Sequence, residues 1–139
     1  MELRKALELA KKIASAAHKG QLRRGGDVPY IEHPKAVAKR VGDDLEAQIV
    51  AWLHDVIEDS EQTAESLLQA GIPPRCVEAV VVLTKKRGVA YESYLERVST
   101  SRLATKVKIA DMLSNLADDP TPRQIRKYAQ GLLMLCTES

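Results

Sequence analysis

Two short stretches of this sequence hold side chains that could do chemistry together. AWLHDVIED (51–59) places His54, Asp55, Glu58 and Asp59 inside an apolar run, and KVKIADMLSN (106–115) sets Asp111 between Ala110 and Met112. Adjacent histidine and aspartate offer a neutral nitrogen and an anionic oxygen, a natural pair of ligands for a divalent cation. Read as one helix, 51–59 would also crowd its acids at the negative end of the helix dipole, at a cost of about 0.3–1 kcal/mol each. A bound cation would supply the missing positive charge. The plainer explanation is a solvated polar face, because the four polar residues fall on one side of a helical wheel and the apolar residues on the other.

Two further ligands are needed, and the sequence offers His33, in PYIEHP (29–34), and Asp111. Pro34 biases His33 toward an extended conformation just outside a helix start, which would fix its direction. Asp111 in an apolar helix needs a partner, and Lys108, three residues earlier, is the alternative to a metal. His33, His54, Asp55 and Asp111 together form a nitrogen/oxygen set suited to Mn²⁺, Fe²⁺ or Zn²⁺ rather than Ca²⁺. The lack of thiolates argues against structural zinc. Four ligands leave positions open for water, whose pKa a metal lowers toward neutrality.

The elements that must position these groups are helical, since the 3.6-residue period dominates and strand alternation is nearly absent. The pattern predicts helices over 2–18, from Pro34 to near Gly42, and from an Asp43 or Asp44 cap to about Ile57 or Glu58. Further helices are predicted from Thr63 to before Gly71, over PPRCVEAVVVLT (73–84), over 91–98 and over 101–118. A last one runs from the Thr121-Pro122 start to about Cys136. Residues 21–32 and KKRG (85–88) read as loops. The expectation is one all-α domain over residues 1–139, a bundle of six to eight helices.

The 139 residues suffice for one core, and with no Phe and one Trp it must be built from Leu, Val, Ile and Ala. A net charge of +2 gives no argument for nucleic-acid binding. Cys76 and Cys136 lack metal-ligand spacing and read as reduced thiols. The N-terminus lacks a signal-peptide pattern and no run is long enough to span a bilayer, so neither membrane nor nucleic-acid partners are expected and the cytoplasm is the expected location. Nothing in the sequence fixes an oligomeric state.

The ordered set HP, HD, ED and D resembles the HD-domain metal-dependent phosphohydrolases. More narrowly, AHKGQLRRGGDVPYIEHPKAVA, HDVIEDS and KIADMLSN are similar to the motifs of the RelA/SpoT-type alarmone hydrolases and their small stand-alone relatives, over roughly residues 10–118. The resemblance implies an HD-domain helical bundle holding one Mn²⁺, ahead of Fe²⁺ or Zn²⁺, on His33, His54, Asp55 and Asp111. It implies hydrolysis of the 3′-pyrophosphate of a guanosine polyphosphate such as ppGpp. Glu58 and Asp59, matching the family's ED pair, would orient and activate the water. Arg23 and Arg24, before Gly25-Gly26, suit an anionic nucleotide. Lys85, Lys86 and Arg87 form a second basic loop, with Lys86 a candidate phosphate contact and a solvated turn the alternative. Asn115 matches a position near the substrate sugar and phosphates. Tyr128 would stack on the base or pack between helices, and the role of His18 stays open, a cation favoured by the end of the first helix being one alternative.

The sequence departs from the family at Met112 and Ser114, where long members carry Arg and His. That leaves guanine against adenine open, and synthetase or regulatory domains are not expected within this length. The other readings are an HD phosphohydrolase acting on ordinary nucleotides, such as a nucleotidase, and a non-catalytic metal-containing nucleotide-binding module.

Overall fold

The computed structural model describes residues 2–23 and 26–136. Among them the secondary structure is helical, apart from a single antiparallel bridge between Leu22 and Pro29. The helices are α1 (Leu3–Ala17), α2 (Glu32–Arg40), α3 (Leu45–Leu53), α4 (Val56–Asp59), α5 (Ala64–Ala70), α6 (Pro74–Leu83), α7 (Tyr91–Ser99), α8 (Arg102–Leu116) and α9 (Pro122–Leu135). Eight have seven residues or more, as the bundle expectation requires, and α4 is a single turn.

The apolar α3 lies at the centre because it is hydrophobic on nearly every side. Ile49, Val50, Ala51 and Leu53 are wholly buried, and α1, α2, α6 and α8 pack around it. Ala6, Ala10 and Ala14, also wholly buried, share one face of α1 and let it approach closely. Side-chain caps start the helices where the sequence offers them. Asp44 accepts from the Ala47 amide and Ser101 from Ala104, while Thr63 and Thr121 form capping boxes with Ser66 and Gln124. The VVVL stretch lies in α6. Cys76 is a buried free thiol, and Cys136 is a free thiol exposed at the end of α9.

Two boundaries depart from expectation, and both matter for the site. α2 begins at Glu32, so His33 sits in its first turn rather than extended before it. The Glu32 and His33 amides donate to the Pro29 and Tyr30 carbonyls, so the chain is already turning. Pro34 falls where a helix has no use for its amide, so the proline does not forbid this. The second departure is that the third helix does not run to 57 or 58. It ends at Leu53, and α4 starts afresh at Val56.

Candidate metal centre

Four elements converge at one point beside α3. The first turn of α2 supplies His33, the α3–α4 break His54 and Asp55, α4 Glu58 and Asp59, and the middle of α8 Asp111. His33, His54 and Asp111 are each 5% exposed or less, so His54 belongs to no solvated face, whereas Glu58 and Asp59 are exposed as such a face would have them. One ligand atom from each of these three lies within 4.8 Å of the others, a spacing that a single cation can bridge. Asp55 stands beside this set, its Oδ2 3.1 Å from His54 Nε2 and accepting a hydrogen bond from the Tyr30 hydroxyl.

The donor set fits a metal on its own chemistry. His54 Nδ1 bonds the Ala51 carbonyl at 2.6 Å, which fixes the ring and turns Nε2 inward. Nε2 is buried and has no hydrogen bond, although Asp55 and Asp111 oxygens lie 3.1 and 3.4 Å away. An orphaned buried nitrogen facing two carboxylates is the arrangement a cation resolves. Asp111 divides its two oxygens. Oδ1 meets His33 Nε2 at 2.7 Å and accepts from Asn115 Nδ2 at 3.3 Å, while Oδ2 takes Lys108 Nζ at 2.9 Å. The Lys108 pair and the convergence with histidine therefore occur together.

Charge follows geometry. Burial resists ionisation of Asp111, but Lys108 and the two histidines outweigh it and hold the carboxyl well below its usual range. Burial likewise opposes the Asp55 carboxylate, and the His54 charge overcomes it, giving a pKa of about 2. For His54, burial opposes the charged form, yet Asp55 and Asp111 push its pKa well up, so a positive charge is favoured there, whether from a proton or a metal. His33 is lowered, mainly by burial, and so presents a neutral ring. Glu58 and Asp59 are both raised, first by burial and then by neighbouring carboxylates.

Glu58 is held by the Lys85 amide, which donates to its Oε1 at 2.6 Å, and it lines a cavity of about 440 Å³ beside His54 and Asp55. Lys85, Lys108, Lys127, Tyr91 and Tyr94 complete much of its wall. The backbone oxygen of Asp59 accepts from Gln21 Nε2 at 2.9 Å. On the opposite flank, Arg23 donates to Asn115 Oδ1 at 3.3 Å and to Asp118 Oδ2 at 2.8 Å.

Some expectations do not fit this picture. Lys86 is exposed and outside the cavity wall, where Lys85 stands instead, because the Glu58 bond fixes the Lys85 backbone at the rim. Of the two places expected for Tyr128, it takes the packed one, against the core and outside the cavity wall. His18, whose role the sequence leaves open, is buried, its Nδ1 on Gln21 Oε1 at 2.9 Å and its ring 4.8 Å from that of Tyr30. Arg24 lies outside the described residues. Sequence reasoning missed Tyr30 and Lys127. Tyr30 stands one turn before His33 in PYIEHP and becomes visible once the chain is known to turn early. Lys127 carries no local signal, since its place depends on how α9 meets α8.

No protein-family model matches the chain. It is 30% identical over 142 residues to a probable GTP pyrophosphokinase of Mycobacterium leprae, an alignment covering 91% of this chain and 18% of that protein. It is 39% identical over 112 residues to the guanosine-3′,5′-bis(diphosphate) 3′-pyrophosphohydrolase of Haemophilus influenzae, covering 76% and 16% respectively. Over 68 residues it is 44% identical to the bifunctional (p)ppGpp synthase/hydrolase SpoT of Escherichia coli K12, covering 47% and 10%. The chain thus spans less than a fifth of the length of these curated relatives. A solved structure of a metazoan SpoT ortholog, described as hydrolysing ppGpp, superposes with a TM-score of 0.74 at 23% identity, covering 94% of this chain and 82% of that one. The fold is the HD-domain helical bundle.

Proposed function

We propose that this chain, a relative of the SpoT- and RelA-type alarmone proteins, is a metal-dependent pyrophosphohydrolase that removes the 3′-pyrophosphate of ppGpp-like nucleotides. The observation that carries the reading is the convergence of His33, His54 and Asp111 around the orphaned His54 Nε2. Asp55 would join them as the fourth ligand, and Mn²⁺ is the ion we assign. When bound, a divalent ion supplies Lewis acidity, lowering the pKa of water enough to make it a nucleophile near neutral pH.

The remaining work belongs to the side chains. In the reaction, water oxygen joins the phosphorus on the ribose 3′ oxygen, the bond to that oxygen breaks, and the 3′ oxygen leaves with a proton. Pyrophosphate carries the oxygen from water. Glu58 takes the water's proton, its raised pKa making it a better base than an ordinary glutamate. Asp59 helps orient the water. Arg23 and Asn115, already bonded to one another, would meet the nucleotide from the other flank.

The test is product analysis with the Mn²⁺-loaded protein on ppGpp, ppApp and GMP. Pyrophosphate from either alarmone is expected, and the faster of the two assigns the base. Orthophosphate from GMP, with the alarmones untouched, would make the protein a nucleotidase. Binding without turnover of any of them would make it a non-catalytic module.

A further inference from the structure

The cavity beside the metal centre gathers lysines from three separate elements: Lys85 after α6, Lys108 in α8 and Lys127 in α9. Two have carboxylates close by. Lys108 is paired with Asp111, and the backbone of Lys85 is bonded to Glu58. Lys127 differs. Its ammonium lies 4.5 Å from the centroid of the Tyr91 ring and 5.6 Å from that of Tyr128, and among the described residues no carboxylate forms an ion pair with it. Its partial burial at the cavity mouth and the fields of Lys108 and Lys85 disfavour its charge. Three cations converging on one cavity repel one another unless an anion sits between them.

Lys127 is carried on α9, which packs against α7 and α8. Gly131, one turn later on the same face of α9, sits so close to α8 that a Cβ there would meet Met112 Sδ at 2.8 Å. The glycine lets α9 approach, and Lys127 reaches the cavity mouth. The cavity also has a direction. His54, Asp55 and Glu58 border the lysines, whereas His33 borders a separate recess lined by Arg23 and Arg40. The candidate metal centre lies between an all-lysine side and an arginine side.

Resting on the pyrophosphohydrolase reading, we propose that the lysine cavity holds the terminal phosphate of the 3′-pyrophosphate. Lys127 is then the residue that distinguishes a 3′-pyrophosphate from a 3′-monophosphate, with the nucleoside directed toward Arg23. A terminal phosphate is the group that needs concentrated positive charge without base recognition, and lysine supplies a point charge rather than a planar fork.

The experiment uses the full chain with Mn²⁺, as wild type, Lys127→Met and Lys127→Arg. Methionine keeps much of the stem over Tyr91 and removes the charge. Steady-state kinetics on ppGpp and calorimetric titration with inorganic pyrophosphate are both measured. For Lys127→Met, KM for ppGpp and the Kd for pyrophosphate should each rise about tenfold, as for a lost charge-assisted bond, with kcat within about twofold. Lys127→Arg should recover most of both. Preference for ppGpp over the 3′-monophosphate analogue should fall in the methionine variant alone. Unchanged KM and pyrophosphate affinity would overturn the proposal while leaving the hydrolase reading intact. If wild type hydrolyses no alarmone yet binds pyrophosphate, and Lys127→Met loses that binding, the hydrolase reading fails and the anion site stands. Because Lys127 is exposed, the variant should keep the wild-type Tm; if it does not, Lys127→Gln takes its place in the same titration.

Discussion

α3 and α8 each deliver an acid to the same point, and they do so in opposite ways. α8 runs unbroken for 15 residues through Asp111, because Lys108 one turn before and Asn115 one turn after satisfy the carboxylate within the helix. The α3 segment has no lysine near Asp55, and it breaks. After the break, Glu58 and Asp59 close the single turn of α4, instead of lying at the negative end of a longer helix whose dipole would oppose them more. The acid that brings its own cation keeps a regular helix. The acids that do not are accommodated by ending one helix and starting another. α8 thus contributes a neutralised, rigid candidate ligand, and the break contributes groups still in want of positive charge.

The largest expected effect separates the two acids. Asp111→Ala leaves Lys108 buried without its partner and should cost about 3–5 kcal/mol in denaturant unfolding. Asp55→Ala, on the partly exposed side of the break, should cost clearly less, while both lose bound Mn²⁺ by metal analysis. Equal costs would mean that the α8 pair has no special structural weight.

Next comes the division between ligand and base. Glu58→Gln should retain Mn²⁺ and lower kcat by about 10²–10⁴-fold. The pH dependence sharpens the contrast. Asp111 has a folded pKa well below its ordinary value, so its stabilisation is present above the unfolded pKa and lost only as pH falls through the much lower folded one. Glu58 is raised, so activity resting on it as the proposed base should fall as pH drops through a value above that of an ordinary glutamate. On acidification, kcat should therefore fall while circular dichroism still reports a folded chain. Simultaneous loss would refute the separation.

The smallest effect concerns the helix starts. Asp44 caps α3 and also meets Lys106 of α8 at 3.1 Å, whereas Ser101 caps α8 through its hydroxyl alone. Asp44→Ala and Ser101→Ala should each cost about 1 kcal/mol, with Asp44 the larger by the modest worth of an exposed ion pair. Thermal unfolding at low and high salt would check this, and the difference should shrink as salt rises.

Much of this was legible from residue types. Helix positions followed from the Asp44, Thr63 and Thr121 starts and from proline at the first turn of α6 and α9. His33, His54 and Asp111 could be nominated because each is a ligand-type side chain beside a proline, an acid or an apolar run. The break after Leu53 was not legible, because 51–59 keeps an unbroken helical pattern and only the third dimension shows that its acids need a new helix start. The early start of α2 was hidden by a proline rule that applies to residues before a helix, not to those already in a turn. Lys127 was missed and the part of Lys85 left open for a third reason: their place depends on how distant helices dock.

Arg23 stands ready before any ligand arrives. Its side chain is only 12% exposed, clamped between Asn115 and an Asp118 carboxylate that is itself 59% exposed. Holding a long, flexible side chain in one rotamer costs about 1.5–2 kcal/mol of entropy, and here that ordering is met within the fold. In the proposed reaction a nucleotide anion would exchange places with a surface carboxylate whose hold is worth about 0–1 kcal/mol. The clamp works as a cocked latch, ordered beforehand and released at little expense.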